Sequence, residues 1–162
     1  MTPRARDMSA RPSRRALLHI GFGACSVALA GCGDKTPAPR AVRLGRETCQ
    51  NCGMTISDAR WCAEIWDRDY GRVRVYDDFG CAVLDAVARK EIDRPELLIW
   101  AADETEPARW LEARAARFRA GVATPMGYGF AAGPQARHTL GYTEVVAAVR
   151  ARALCDTPTK DT

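Results

Sequence analysis

The fold of this chain is decided by residues 62–90, which read CAEIWDRDYGRVRVYDDFGCAVLDAVARK. Apolar and polar side chains alternate strictly over residues 72–76 and partly over residues 62–66. A period of two is typical of strands that have one face in a core, and residues 67–71 form the connection between them. The stretch therefore predicts a β-hairpin.

A helix and a third strand are predicted to follow the hairpin. The carboxylate of Asp77 or Asp78 can accept backbone N–H bonds at a helix start. Apolar residues then recur at helical spacing, at Phe79, Val83, Ala86 and Val87. The continuous apolar run at residues 97–101 is typical of a strand that is covered on both faces. The predicted order is therefore β-β-α-β.

The second half of the chain has weaker patterns. Residues 114–120 fit a strand or a helix, residues 124–130 a turn followed by an extended segment, and residues 138–142 a short strand. Residues 143–154 are predicted to be helical, because three valines recur on one side. A chain of this size can bury one modest core. Because strands and helices are both predicted, we expect an α+β fold.

The formal net charge of +4 comes from the first 31 residues. They contain five arginines and one aspartate, whereas the remaining 131 residues contain 19 basic and 19 acidic side chains. Binding to nucleic acid depends on an excess of basic groups that neutralise phosphates. The balanced part of the chain has no such excess, so we do not expect a nucleic-acid partner.

The N-terminus has the features of an export signal. An arginine-rich region, an apolar stretch at residues 16–30 and small residues at its end are typical of a cleaved signal peptide, which we place at residues 1–31. The four letters LAGC (residues 29–32) resemble the bacterial lipobox, which predicts a lipid on Cys32. Residues 13–18 also resemble a twin-arginine export signal.

We therefore expect a lipoprotein of the bacterial cell envelope that faces the periplasm and is anchored in the membrane through Cys32. Gly33 follows this cysteine where an aspartate would signal retention in the inner membrane, so the outer membrane is favoured. Residues 32–46 contain proline and charge without periodicity and are predicted to be a flexible tether. Residues 156–162 are predicted to be a disordered tail.

Removal of a signal peptide changes the inventory of soft ligands. Two methionines remain, Met54 and Met126, and one histidine, His138. Five thiols remain besides the lipidated one, at Cys49, Cys52, Cys62, Cys81 and Cys155. An odd number of thiols cannot pair completely within one chain. In an oxidising compartment at least one of them is therefore free, bound to metal or paired elsewhere.

The segment CQNCGM (residues 49–54) contains the most informative chemistry. It brings two thiols and a thioether together, and soft sulfur ligands select Cu(I) among biological metals. Spacing alone leaves open a structural zinc site or a disulfide, and also a thioredoxin-like redox pair. The redox motif opens a helix after a buried strand, whereas a polar segment precedes Cys49. Attachment of a c-type haem needs a histidine where Gly53 stands.

Three blocks of the sequence resemble the NosL family, the accessory lipoproteins of nitrous-oxide reductase. The blocks are CQNCGMTISD (49–58), YDDFGC (76–81) and TPMGYGFAA (124–132), and they follow a lipobox in the same order. The resemblance covers about residues 29–142. It implies two small β-β-α-β units, at about residues 47–103 and 104–155, packed as one compact globule.

Members of that family are periplasm-facing lipoproteins that bind one Cu(I) ion and deliver it for assembly of the copper sites. The resemblance thus implies a lipid-anchored Cu(I) metallochaperone whose partners are copper-site assembly factors or an apo copper enzyme. Its matching blocks imply Cys52, Met54 and Met126 as metal ligands. The sequence has no recognisable nucleophile–base pair, catalytic carboxylate pair or phosphate loop, so we do not expect an enzyme.

Several of the other soft side chains have two interpretations. Cys49 is an alternative ligand, or it pairs with Cys52 when metal is absent. Cys81 falls in the first turn of the predicted helix, where the helix dipole favours a thiolate, or it is a small buried apolar side chain. His138 completes the copper sphere or is structural, and Cys62 is expected in the core. The alternative function is a thiol–disulfide oxidoreductase that uses Cys49 and Cys52.

Overall fold

A computed structural model describes the backbone of residues 36–155 and the side chains of residues 36–153. The predicted signal peptide (residues 1–31), the predicted lipidation site Cys32 and the predicted tail (residues 156–162) lie outside the described residues. Within the described range, no helix combines the length and the apolar character needed to cross a bilayer.

The described residues form a compact α+β fold with six strands in two antiparallel sheets and two α-helices, which confirms the predicted fold class. The strands are β1 (Ala63–Asp67), β2 (Arg72–Tyr76), β3 (Ile99–Ala102), β4 (Trp110–Glu112), β5 (Arg117–Ala120) and β6 (Phe130–Gly133). The helices are α1 (Phe79–Ala88) and α2 (Tyr142–Cys155), and a short 3-10 helix occupies Ala59–Trp61. The first sheet has the order β2-β1-β3-β4, and the second consists of β5 and β6.

Strands β1 and β2 form the predicted hairpin. Ala63 lies opposite Tyr76 in the antiparallel register, and both side chains are buried. Strand β1 also pairs with β3, where Ile65 lies opposite Ile99. Because β1 is hydrogen-bonded on both sides, it is a central strand of the first sheet.

Helix α1 starts at the predicted acidic pair. Asp78 is the N-cap, and its Oδ1 accepts the backbone N–H of Gly80 at 2.9 Å. After the helix, Lys90 has a φ of 59°, a left-handed conformation that does not continue a helix. Phe79 packs against Phe118 of β5 with 4.7 Å between ring centroids. The helix therefore connects the two sheets through one hydrophobic core.

The second half differs from the β-β-α-β unit that the resemblance implies. Strand β4 pairs with β3 and so joins the first sheet, while β5 and β6 pair with each other. After β6, residues 134–139 make a turn that leads to Leu140, which bridges back to Phe118. Two turns of α-helix need about seven residues, so this connection is too short for one. The helix of this half, α2, comes after the last strand.

Part of the segment predicted to be a tether contacts the folded domain. The backbone N–H of Arg40 donates to Glu64 Oε2 on β1 at 2.9 Å, and the Arg40 guanidinium forms a salt bridge with Glu47. Val42 packs against the hydrophobic core. These contacts hold residues 40–47 against strand β1, because they bury apolar surface and pair the charges.

Candidate metal site

The two cysteines of the CxxC motif lie in a small hairpin, residues 47–56, which we call the CxxC hairpin. The backbone N–H of Cys49 donates to Met54 O at 2.8 Å, and the N–H of Gly53 donates to Cys49 O at 2.9 Å. Gly53 has a φ of +75°, a backbone conformation that residues with a Cβ rarely adopt. The motif thus forms a closed turn rather than the start of a helix.

The CxxC hairpin is docked on the end of strand β2. The backbone N–H of Gln50 donates to Val75 O at 2.9 Å. This bond places the turn beside Asp77, which follows β2, and beside Cys81, which lies in the first turn of α1. Three segments of the chain therefore meet at one point.

Four side chains that could hold a metal ion converge at this point. The Sγ atoms of Cys49, Cys52 and Cys81 and a carboxylate oxygen of Asp77 all lie within 4.8 Å of one another. All of them except Cys52 are buried, and the cysteines are free thiols. In a tetrahedral site with metal–sulfur bonds of about 2.3 Å, the sulfur atoms are about 3.8 Å apart. The cluster is therefore close to the spacing that a thiolate-bound metal ion needs.

Hydrogen bonds within the cluster separate the pKa values of its thiols. The bond with the Cys81 thiol, together with bonds from the backbone N–H groups of Cys52 and Asp77, lowers the pKa of Cys49 to about 6. Burial raises the pKa of Cys52 to about 11. The hydrogen bond with Cys49 and burial both raise the pKa of Cys81. Ionisation is thus easiest at Cys49, and binding of a metal ion to the three sulfur atoms would release the protons that remain on them.

Asp77 is the member of the cluster that the sequence analysis missed. It is 2% exposed, and its Oδ1 accepts a hydrogen bond from Cys52 Sγ at 3.6 Å. The available signal was the pair of adjacent acidic residues between β2 and α1. Since only Asp78 caps the helix, the other carboxylate was left without a role.

The predicted ligands Met54 and Met126 lie on two loops. Met54 belongs to the CxxC hairpin and is 51% exposed. Met126 is half-buried, and its backbone N–H donates to Asp78 Oδ2 at 3.2 Å. The hydroxyl of Thr124 donates to the same oxygen at 2.5 Å. The loop of Met126 is therefore attached to the start of α1, the helix that carries Cys81.

His138 is not a member of the cluster. Its ring is buried, with Nδ1 2.6 Å from Pro134 O and Nε2 3.1 Å from Glu104 Oε1. Arg119 pairs with the same carboxylate of Glu104. Both ring nitrogens therefore face oxygen atoms of the protein.

Cys62 also lies outside the cluster. It is buried, its Sγ is 3.4 Å from Asp58 O, and burial raises the pKa of its thiol to about 12. Its position in the hydrophobic core is the one that the sequence predicts. Asp58 accepts the backbone N–H of Arg60 at 3.0 Å and caps the 3-10 helix. The side chain of Cys155 lies outside the described residues.

No protein-family model, no curated protein and no solved structure matches this chain. A function is therefore inferred from the cluster of Cys49, Cys52, Asp77 and Cys81, together with the resemblance of the three sequence blocks.

Proposed function

We propose that this protein is a lipid-anchored Cu(I) metallochaperone that binds one ion through the thiolates of Cys49, Cys52 and Cys81. The observation that carries the proposal is the convergence of these three sulfur atoms, with Asp77, within 4.8 Å. Thiolate and thioether ligands favour the softer metals, Cu(I) and Zn(II) among them, over hard cations such as Mg(II) and Ca(II). A structural zinc site favours four Cys or His donors, and Cys62, the fourth described cysteine, is not in the cluster.

The resemblance to the NosL family supports copper as the cargo. Two of its blocks, residues 49–58 and 76–81, supply all four members of the cluster. In the first half the elements follow the order β1, β2, α1, β3, and the second half has its helix last. We propose that Cys32 carries a lipid that holds the protein at the periplasmic side of a membrane. The recipients of copper would be copper-site assembly factors or an apo copper enzyme such as nitrous-oxide reductase.

Delivery requires an ion that is bound tightly and exchanged readily. Ligand exchange meets both needs, because a partner's soft ligands displace the donors one at a time. Cys52 is half-buried and Met54 in the same turn is exposed, whereas Cys49 and Cys81 are buried. We therefore propose that transfer begins at Cys52, with Met54 or Met126 as a transient thioether ligand, and that the buried thiolates release the ion last.

A Cu(I) titration against a chromophoric chelator tests the proposal on the full-length chain. Cys25, Cys32 and Cys155 are changed to Ser in every sample, so that only the four described thiols remain. We expect one Cu(I) per chain. Cys81→Ser should weaken binding by at least about tenfold, because even mutation of a group that only hydrogen-bonds to a metal ligand lowers the affinity by that much. Cys62→Ser is the matched control, since this cysteine is also buried but lies outside the cluster.

Two outcomes would contradict the proposal. One is a chain that binds no Cu(I) at one equivalent. The other is an equal loss of affinity in Cys81→Ser and Cys62→Ser, with circular dichroism showing that both variants are folded. Met126→Leu is expected to have a smaller effect than Cys81→Ser, because Met126 is proposed as a transient ligand and the three thiolates are retained.

A second candidate function is thiol–disulfide exchange by Cys49 and Cys52. The pKa of Cys49, about 6, favours it, because the thiolate is the attacking species. The position of the motif is less favourable, because it lies in a hairpin turn, whereas a thioredoxin-type pair opens a helix. An insulin-reduction assay separates the two functions: a metallochaperone shows no turnover, whereas an oxidoreductase shows turnover that Cys49→Ser abolishes.

A further inference from the structure

Asp77 is a buried carboxylate without a cationic partner in the described part of the chain. It is 2% exposed and takes part in none of the ion pairs found among the described residues. Its Oδ1 instead accepts a hydrogen bond from the Cys52 thiol. Burial of an unpaired charge is costly, so buried charges are normally paired or bound to a metal.

The thiols beside Asp77 do not provide the missing positive charge, but a metal ion would. Cu(I) is satisfied by soft sulfur donors, whereas Zn(II) and Co(II) take four donors and accept carboxylate oxygen among them. Three thiolates and one carboxylate carry four negative charges, and a divalent ion offsets one more of these than Cu(I) does. The carboxylate therefore favours a divalent ion more than it favours Cu(I).

We propose that Asp77 sets the metal specificity of the cluster. Its carboxylate is the fourth ligand of a divalent ion such as Zn(II), which binds to Cys49, Cys52, Cys81 and Asp77, whereas Cu(I) binds to the three thiolates alone. The cluster thereby accepts a second class of metal besides its proposed cargo. The Cu(I) part of this inference rests on the proposed function, and the Zn(II) part stands without it.

Competition titrations with chelators for Zn(II) and for Cu(I) test the inference on the full-length chain described above. Asp77→Asn keeps the size of the side chain and replaces an anionic donor by a neutral one. We expect it to weaken Zn(II) binding by about 100-fold, since loss of a group that only hydrogen-bonds to a metal ligand already costs about 10–100-fold. The Cu(I) affinity should change by less than about threefold, because the thiolates are retained. The control Asp58→Asn should leave both affinities unchanged, because that carboxylate bonds to Arg60 outside the cluster.

X-ray absorption of the chain with Asp77 intact gives a second measurement that does not depend on how the variant folds. With Zn(II) we expect three sulfur ligands and one oxygen at about 2.0–2.2 Å, and with Cu(I) sulfur ligands alone. A zinc shell without oxygen, or an equal loss of both affinities in Asp77→Asn, would overturn the inference. Absence of Cu(I) binding, together with a Zn(II) site of three sulfurs and one oxygen that Asp77→Asn weakens, would instead reject the proposed function and retain Asp77 as a zinc ligand.

Discussion

Replacement of Glu64 by glutamine should change how the free energy of unfolding depends on pH. Glu64 lies on the central strand β1 and is 0% exposed. Its Oε2 accepts the backbone N–H of Arg40 at 2.9 Å, whereas its Oε1 has no hydrogen-bond partner. Burial raises the pKa of this carboxyl to about 7, and the bond from Arg40 acts in the opposite direction.

The magnitude follows from the difference between the folded and unfolded chains. The unfolded chain ionises Glu64 near pH 4.5, whereas the folded protein keeps the proton up to about pH 7. The folded pKa is the higher one, so this group lowers the free energy of unfolding as the pH rises from about 4.5 to 7 and changes it little above. The full loss is about 3 kcal/mol, of which about 2.5 kcal/mol develops between pH 5 and pH 8. Glutamine does not titrate, so the variant lacks this loss.

Urea denaturation of the full-length protein and of Glu64→Gln, followed by circular dichroism at pH 5 and pH 8, measures the effect. The stability gain of the variant should be about 2.5 kcal/mol larger at pH 8 than at pH 5, and packing changes that do not depend on pH cancel in this comparison. Glu47→Gln is the matched control. The bond with Arg40 lowers the pKa of Glu47 to about 2, so Glu47 stays ionised over this range. Its variant should show a much smaller change, because the Glu47 charge is only a minor cause of the raised pKa of Glu64. A gain for Glu64→Gln that is equal at both pH values would refute the reasoning.

Two further stability predictions concern the start of α1, and urea denaturation tests both. Asp78→Ala removes the cap on Gly80 and the acceptor for Thr124 and Met126, so we expect the free energy of unfolding to fall by about 3 kcal/mol. Asp78→Asn keeps a capping oxygen and should lose less; equal losses in the two variants would contradict this assignment. Gly80→Ala would place a Cβ 2.1 Å from Tyr128 Cγ, and such overpacking should cost about 1–3 kcal/mol or more. A Gly80→Ala protein as stable as the wild type would show that the ring of Tyr128 moves freely away.

Elements with local signals could be predicted from the sequence. The alternation in β1 and β2 and the cap at Asp78 depend on residues that are neighbours in the chain, and both are observed. The pairing of β4 with β3 depends on contacts between distant segments, which no local pattern specifies. The same holds for the second half, where the short connection after β6 moves the helix to the end.

The residues of the candidate site also divide into those with a local sequence signal and those whose position depends on contacts between distant segments. The spacing of Cys49 and Cys52 identified two of its members. Cys81 had two interpretations, because its nearness to the other thiols depends on where the CxxC hairpin docks on β2. Asp77 depends on the same docking and was not predicted. The sequence around a lone histidine does not indicate which groups its ring contacts. The position of His138 against Glu104 comes from tertiary packing alone.

The hydrogen bond between Gln50 and Val75 has a second effect, at the edge of the first sheet. Strand β2 is an outermost strand, which pairs with β1 on one side only. The free side of such a strand can add a strand of another molecule, and proteins block it with short strands, charges or a covering loop. Here β2 is short, carries Arg72 and Arg74, and has the Val75 carbonyl occupied by the CxxC hairpin. The segment that supplies two of the thiols therefore also protects the sheet against growth by strand addition between copies of the chain.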